Sequence, residues 1–189
     1  IVKGYAGTGK TTVLKSVVAV HKKHQRKIML MAPTGRAAKV MGGTAGKNAF
    51  TIHRSLYRPN VSSGGVAQFV LANNPHKNTT FVVDEAGLIS TNNDNALGGN
   101  SLWEDLLNFV FTDASNSLIL VGDPAQLPPV GQPKSPALNS DYFTRVGYNT
   151  VEHTLRAVVR QALDSYILRH ATQLRELIEK DASDAPKML

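Results

Sequence analysis

Hydrophobic residues are arranged along this chain in short continuous runs that alternate with longer segments of helical spacing. The runs "KIMLMA", "TTFVV" and "NSLILVG" are typical of strands buried on both faces, and "IVKG" at the start of the chain is a shorter example. Residues 10–24 instead place their apolar side chains on one helical face. The same spacing predicts helices at 35–41, at 101–111 with Ser101 as N-cap, and at 165–179.

The alternation of strands and helices predicts an α/β fold, in which helices flank a parallel sheet and ligands bind at the carboxyl ends of the strands. Two segments interrupt the pattern. Residues 57–78 hold a brief apolar run, "VAQFVL", between turn-rich flanks, which predicts a small hairpin insertion. Residues 91–100, "TNNDNALGGN", are typical of a surface loop.

Composition narrows the class of protein. The 189 residues are 42% hydrophobic, which is ordinary for a globular domain, and the absence of cysteine excludes disulfides, zinc ribbons and thiol catalysis. No apolar run is long enough to cross a bilayer, and no signal peptide is visible. We therefore expect a cytoplasmic protein, associated with the nucleoid if it binds DNA, and no membrane partner.

Charge is distributed unevenly along the chain. Residues 1–83 contain thirteen Lys and Arg and no Asp or Glu, whereas residues 84–189 contain eight basic and fourteen acidic residues. A half without carboxylates suits a polyanionic partner such as nucleic acid, although a merely solubilising surface would have a similar composition. His21 and His24 lie among lysines on a predicted helix, and we expect both to be solvated.

A glycine-rich loop joins the first strand to the first helix. The stretch "GYAGTGKT" fits the pattern G-x-x-x-x-G-K-[ST], in which backbone amides surround phosphate oxygens, the lysine reaches the β- and γ-phosphates, and the hydroxyl binds Mg²⁺. A tight glycine turn without a ligand is the structural alternative. The predicted nucleotide-binding residues are Gly4, Ala6, Gly7, Thr8, Gly9, Lys10, Thr11 and Thr12.

Acidic residues follow a second predicted strand. In "FVVDEAG", Asp84 would hold Mg²⁺ together with Thr11, and Glu85 would polarise the attacking water, which favours hydrolysis over transfer to another substrate. Adjacent acids also occur as helix caps. In "LILVGDPAQLPPVG", Gln126 lies on a proline-bounded loop and would contact the γ-phosphate or orient water, unless the loop is only a rigid turn.

Taken together, these segments resemble superfamily 1 DNA helicases of the RecD-like and Dda-like branch. The resemblance covers nearly the whole chain in order: "GYAGTGKTT" is similar to motif I, "APTGRAAKVM" to Ia, "TIHRSL" to Ib, "VVDEAG" to II, "GDPAQLPPVG" to III and "LRAVVRQALDS" to IV. Motif I is shared by many ATPases, whereas the combination of "APTGRAAK", "TIH" and "GDPAQLPP" is much more specific.

The resemblance implies roles for individual residues. Arg160 would be an arginine finger on the γ-phosphate, with a surface ion pair as the alternative. His53 would contact DNA or be a hydrogen-bonded core histidine, and Phe69 would be the apolar tip of a duplex-splitting hairpin or a core residue. The residues implied to lie against single-stranded DNA are Pro33, Thr34, Gly35, Arg36, Thr51 and His53.

The resemblance also implies an organisation and an activity. Residues 1–152 would form a RecA-like P-loop ATPase domain with the insertion at 57–78, and residues 153–189 would lead towards a second RecA-like domain. ATP and Mg²⁺ would be the cofactors, and hydrolysis would drive 5′-to-3′ movement on single-stranded DNA, alone or with nuclease or repair subunits. Since the chain begins inside a strand without Met, we interpret it as an excised ATPase core, with weak nucleotide binding and little turnover.

Two other function classes are compatible with the sequence. A nucleotide or small-molecule kinase can use the same loop, but it would need a substrate-binding lid and would not need Glu85. A module that binds single-stranded DNA without hydrolysing ATP would also explain the basic half of the chain.

Overall fold

A computed structural model of the chain describes residues 1–61, 67–93, 100–129, 131, 132, 135–157, 170, 173, 174 and 177. Its centre is a six-stranded sheet of order β3-β2-β6-β7-β1-β8, and every neighbouring pair of strands in it is parallel. A separate antiparallel pair, β4-β5, forms the insertion. The predicted parallel α/β sheet with a small hairpin is therefore confirmed.

The strands are β1 Val2–Gly4, β2 Lys27–Ala32, β3 Ala49–Thr51, β4 Tyr57–Val61, β5 Ala67–Leu71, β6 Thr79–Val83, β7 Ser117–Gly122 and β8 His153–Leu155. The α-helices are α1 Lys10–Lys23, α2 Gly35–Ala45, α3 Ile52–Leu56, α4 Leu102–Val110 and α5 Ser140–Arg145. Short 3-10 helices follow β6 at Ala86–Leu88 and precede α5 at Pro136–Leu138.

Both faces of the sheet are covered, which explains the continuous apolar runs. In β2, Leu30 packs on the side of α1 and α2, whereas its neighbour Met31 packs on the side of α3 and α4. In β6, Val82 lies on the first side, and Phe81 and Val83 lie on the second. Because successive side chains of a strand point to opposite faces, a strand between two helical layers needs apolar residues at every position.

The hairpin insertion is fastened to the core at its base. The hydroxyl of Tyr57 donates a 2.7 Å hydrogen bond to the buried carboxylate of Asp105 in α4, and Asn100 donates to the other oxygen of that carboxylate at 3.0 Å. After β5, the side-chain amide of Asn74 donates to the carbonyl of Phe109 at 2.7 Å. Both ends of the hairpin are thus tied to one helix, which holds the insertion in a defined direction.

Several boundaries differ from those predicted. Helix α2 runs to Ala45, beyond the predicted end at 41, because Gly42 and Gly43 are tolerated within it until Gly46 caps it in a left-handed conformation. The strand at 153–155 pairs with β1, so the sheet extends past the predicted domain boundary at 152. The N-cap at Ser101 is confirmed and forms a capping box with Glu104.

Other predictions fall largely on residues outside the described ones. The predicted helix at 165–179 is described only at four positions, and residues 94–99 of the predicted loop lie outside. In the part of the chain that the structure describes, no helix has the length and apolar character that a membrane span requires.

We expect Tyr57→Phe to lower the free energy of unfolding by about 1–3 kcal/mol, because it removes a hydrogen bond from a buried carboxylate. Chemical denaturation measures this change. The matched control is Tyr148→Phe, whose ring packs on Phe111 and whose hydroxyl makes no hydrogen bond among the described residues, so little change is expected there. Equal losses in both variants would contradict the anchoring role of Asp105.

Candidate active site

The predicted site residues meet along one edge of the sheet. Parallel pairing places Lys3 opposite Gly122, Val83 opposite Leu120 and Ala32 opposite Thr51, so the carboxyl ends of the strands are level. The glycine-rich loop follows β1 and the acidic pair follows β6. The segments with similarity to motifs Ia and Ib follow β2 and β3 on the far side of β6.

The glycine-rich loop has the shape that its sequence predicts. Gly7 and Gly9 have φ angles of 83° and 88°, a region that residues with a Cβ atom rarely adopt. Thr8 is buried, and its hydroxyl donates to the carbonyl of Tyr5 at 2.8 Å. A Cβ atom at Gly4 would lie 2.5 Å from the Thr8 hydroxyl oxygen, so this position also requires glycine.

Helix α1 begins differently from the other described α-helices. In α2, α3, α4 and α5, the side chain of the N-cap residue accepts a hydrogen bond from the first turn of the helix. The N-cap residue of α1 is Gly9, so no side chain caps that helix. Its first turn also contains no acidic residue. The amino end of α1, with its partial positive charge, is therefore open to an external anion, as a phosphate cradle requires.

Lys10 connects the loop with the neighbouring strands. Its ammonium group donates to the carbonyl oxygens of Gly4 and Tyr5, the latter at 2.9 Å, and lies 3.8 Å from the carboxylate of Asp123. Asp123 follows β7 directly and is buried, with 4% of its surface exposed. A cation thus lies where three strand ends converge.

The acidic pair after β6 lies in the same electrostatic environment. Burial raises the pKa of Asp84 above its ordinary value, although a hydrogen bond from the Glu85 amide and the nearby Lys10 ammonium act in the opposite direction. Burial and the neighbouring Asp84 also raise the pKa of Glu85, against the opposing effect of Lys10. An elevated carboxylate pKa makes Glu85 a better proton acceptor.

The backbone at Glu85 is strained. Its φ angle is 53°, and non-glycine residues in this left-handed region are uncommon and cost about 1 kcal/mol or more. The conformation follows the last residues of β6 and precedes the 3-10 helix at Ala86–Leu88. The chain therefore turns at the strand end between Asp84 and the 3-10 helix.

Gln126 lies in the turn that follows β7. Its backbone amide donates to the carbonyl of Asp123 at 3.2 Å, and its side chain is exposed. It lines a cavity of about 490 Å³ that also includes Asp123 and Gly87. The turn therefore holds Gln126 beside Asp123, the acidic partner of Lys10.

The residues expected to contact DNA form the other half of the edge. Thr34 lies two residues after β2 and Thr51 is the last residue of β3, and each accepts a 3.2 Å hydrogen bond that caps the next helix. Gly35, Arg36 and His53 are exposed, and Pro33 is partly exposed. The core alternative for His53 is therefore wrong, because its imidazole lies on the surface at the start of α3.

Phe69 is neither the tip of the hairpin nor a core residue. It lies in the middle of β5 opposite Pro59, with 50% of its surface exposed. Together with His53, Arg54, Tyr57 and Arg58 it lines a cavity of about 550 Å³ between α3 and the hairpin. The prediction failed because the sequence shows that Phe69 is an apolar strand residue but does not show whether another element covers it.

Comparison with known proteins settles the class of the domain. Residues 1–185 match a protein family described as an AAA domain. The chain belongs to the AAA domain family.

Relatives support the same assignment. This AAA domain is 34% identical over 131 residues to the ATP-dependent RecD2 DNA helicase of Deinococcus radiodurans, and 31% identical over 145 residues to an uncharacterized protein of Methanocaldococcus jannaschii. The two matches cover 69% and 71% of this chain, but only 16% and 12% of the relatives.

Solved structures show the same fold. Bacteroides Pif1 bound to single-stranded DNA matches 88% of the AAA domain with a TM-score of 0.51 and 22% identity, and Pif1 helicase from Candida albicans matches 92% with a TM-score of 0.53 and 21% identity. The domain covers 40% of each of these chains. The resemblance to RecD-like superfamily 1 helicases, and the P-loop fold, are confirmed.

The described residues include the predicted metal ligands but not Arg160. Arg160 lies outside the described residues, so its role stays a prediction. Among the described residues, no group of three or more His, Asp or Glu side chains could hold a metal by itself. The proposed Mg²⁺ ligands Thr11 and Asp84 instead fit a metal that takes most of its ligands from phosphates and water.

Asp123 is a residue of the candidate site that the sequence motifs did not single out. The sequence predicts a strand end at Gly122-Asp123, but the motif there assigns a role only to Gln126. Its position directly after a buried strand, like that of Asp84, was the available signal. Its contact with Lys10 depends on the adjacency of β7 and β1, which sequence order does not reveal.

The raised pKa of Glu85 has a consequence for stability. In the folded AAA domain this carboxyl group keeps its proton to a higher pH than in the unfolded chain, so its contribution to stability is present below the ordinary value of 4.5 and is lost as pH rises through the folded pKa. We expect Glu85→Gln to increase the free energy of unfolding at pH 7 and to change it little below pH 4. Denaturation curves over this pH range measure the difference.

Asp113→Asn is a control of opposite sign. Hydrogen bonds from the side chain and amide of Ser115 lower the pKa of Asp113, so its contribution is present at neutral pH and is lost as pH falls. Asp113→Asn should therefore reduce stability at pH 7. A Glu85→Gln variant that is less stable than the parent at pH 7 would show that the carboxylate is favourably placed, contrary to this assignment.

Proposed function

We propose that this AAA domain is the first RecA-like domain of an ATP-dependent DNA helicase or translocase, in which hydrolysis is coupled to movement on single-stranded DNA. The observation that carries the proposal is the shared edge. The glycine-rich loop and the carboxylates suited to a nucleotide lie at the ends of β1, β7 and β6, and exposed basic and polar groups lie at the ends of β2 and β3. Because β6 lies between β2 and β7, a displacement of its end on nucleotide binding would alter both the nucleotide side and the DNA side of this edge.

The residues present fit a nucleoside triphosphate. The uncapped start of α1 and the amides of the glycine-rich loop would bind phosphate oxygens, and Lys10 would exchange its contacts with Gly4 and Tyr5 for the β- and γ-phosphates. Thr11 and Asp84 would hold Mg²⁺, which would neutralise charge on the phosphates of ATP. ATP itself would supply the phosphoanhydride bond that is hydrolysed. Asp123, which lies close to Lys10, would hold the ammonium group in place.

Glu85 would be the general base. Its raised pKa and its position beyond the strand end suit a carboxylate that accepts a proton from water. Gln126 would orient that water or contact the γ-phosphate, and Arg160 would stabilise the charge on the phosphate. These roles, and the 5′-to-3′ direction, are supported by the resemblance of the motifs to those of superfamily 1 helicases.

Single-stranded DNA is the proposed polymer. The similar RecD2 protein is named a DNA helicase, and the solved Bacteroides Pif1 has single-stranded DNA bound. In this chain, Arg36 and His53 are exposed beside helix starts capped by Thr34 and Thr51, which is a surface suited to phosphate contacts. A second RecA-like domain would complete the nucleotide cleft.

The test is the ATPase rate, with and without single-stranded DNA, of a protein that contains this domain together with a second RecA-like domain. We expect DNA to stimulate hydrolysis, and Lys10→Ala to reduce the stimulated rate by about 100-fold or more, because a charge at the transferred phosphate is lost. Lys15→Ala is the matched control, since Lys15 is an exposed lysine further along the same helix. Its rate should match that of the parent.

Other outcomes identify the rival functions. Phosphate transfer to a small acceptor, without stimulation by DNA, would mean that the protein is a kinase. DNA binding without hydrolysis would mean that it is a binding module.

Arg36→Ala should lower the slope of log affinity for single-stranded DNA against log salt by about 1, and an unchanged slope would remove this residue from the DNA path.

A further inference from the structure

A second basic surface lies at the opposite edge of the sheet. We call it the basic turn and define it as residues 22–27, "KKHQRK", together with Lys77. Every residue of this set is exposed. The turn joins the end of α1 to the start of β2, and the pairing of Lys27 with Thr79 brings Lys77, just before β6, to the same end of the sheet.

The basic turn is held by a defined network of hydrogen bonds. Gln25 has a φ angle of 52°, and the Arg26 amide donates to the carbonyl of His21 at 2.9 Å, which closes a tight turn at the helix end. The imidazole of His21 contacts the Thr80 hydroxyl at 2.9 Å and the Val17 carbonyl at 2.8 Å. His21 is therefore half-buried and anchors α1 to β6, which corrects the expectation that it is solvated.

The positive charge of this surface is largely uncompensated. Among the described residues, only Lys77 of this set lies within 4 Å of a carboxylate, at 3.7 Å from Asp113. The partial negative charge at the end of α1 accounts for Lys22 and Lys23, which belong to or adjoin its last turn. It does not account for Arg26 or Lys27, neither of which has a carboxylate within 4 Å among the described residues.

We propose that the basic turn is a second nucleic-acid contact surface, which binds the sugar-phosphate backbone outside the candidate active-site edge. The class of ligand rests on the proposed function, whereas the surface itself rests on its charge, exposure and rigidity. Cations on a fixed turn neutralise phosphates without reading bases, so the contact is independent of sequence and sensitive to salt.

The chemistry of the surface favours nucleic acid over other polyanions. Residues 22–27 contain no aliphatic side chain and no Phe, Tyr or Trp, and stable protein interfaces depend on such residues at their centre. An anionic membrane surface is usually bound by a basic segment that also has an apolar face or a lipid anchor. A phosphate backbone needs neither.

The basic turn and the active-site edge lie at opposite ends of β2. Strand β2 has six residues, so at about 3.3 Å per residue its two ends are about 20 Å apart. Along one strand of a duplex, with phosphates about 3.4 Å apart along the axis, this distance corresponds to about six base pairs. A duplex of about 30 base pairs is therefore long enough to contact the basic turn and the active-site edge together.

The experiment compares two double variants of the full chain without nucleotide. The test variant is Arg26→Gln with Lys27→Gln, and the control with the same change of charge is Lys15→Gln with Arg145→Gln, both exposed outside the turn. Affinity for a 30-base-pair duplex is measured over a range of salt. We expect the test variant to lower the slope of log affinity against log salt by about 2 and the control variant to change it much less.

Two results would overturn the inference: an unchanged duplex slope, or an equal fall in the control variant. An unchanged duplex slope with lost binding to phosphatidylserine vesicles would assign the turn to a membrane surface instead. The proposed function fails separately, if Lys10→Ala keeps full DNA-stimulated hydrolysis. Duplex binding by the turn requires no nucleotide and can survive that failure.

Discussion

The charge balance around the Lys10 ammonium group is the interaction on which the candidate site depends. Lys10 lies 3.8 Å from Asp123 and influences the ionisation of both Asp84 and Glu85. These three carboxylates come from the ends of two strands, and Lys10 comes from the loop after a third. Without the cation, the acidic groups would repel one another and would be costly to bury. The parallel register of β6, β7 and β1 makes the arrangement possible.

The site is built at a cost in stability. Glu85 has a left-handed backbone, burial disfavours the ionised forms of Asp84 and Glu85, and the glycine-rich loop gives up side-chain packing at Gly4 and Gly7. Such costs are typical of functional sites, because groups poised for chemistry are seldom in their most stable environment. The two apolar layers on either side of the sheet offset them, since Leu30, Met31, Phe81 and Val83 are completely buried.

The two edges of the sheet divide the chemistry. The carboxyl edge combines the phosphate cradle with the exposed groups at Arg36 and His53, and the opposite edge presents the basic turn. Helix α1 runs between them, with its uncapped start at the cradle and its basic end at the turn. The hairpin, fixed to α4 through Tyr57 and Asp105, adds a third feature beside His53. One sheet thus carries the candidate active site and the basic turn at its opposite ends.

The sequence by itself determined the local structure: the glycine pattern of the loop, the buried strands, the cap at Ser101 and the acidic pair after β6 depend on neighbouring residues and could be predicted from them. Only the tertiary structure decided which strand ends lie side by side. Four features join residues distant in sequence or depend on what covers a surface. They are the contact of Asp123 with Lys10, the exposure of His53 and Phe69, the anchoring of Tyr57 by Asp105 and the partial burial of His21. Local patterns report how one segment can fold, whereas strand order and the packing of layers follow from the burial of all segments together.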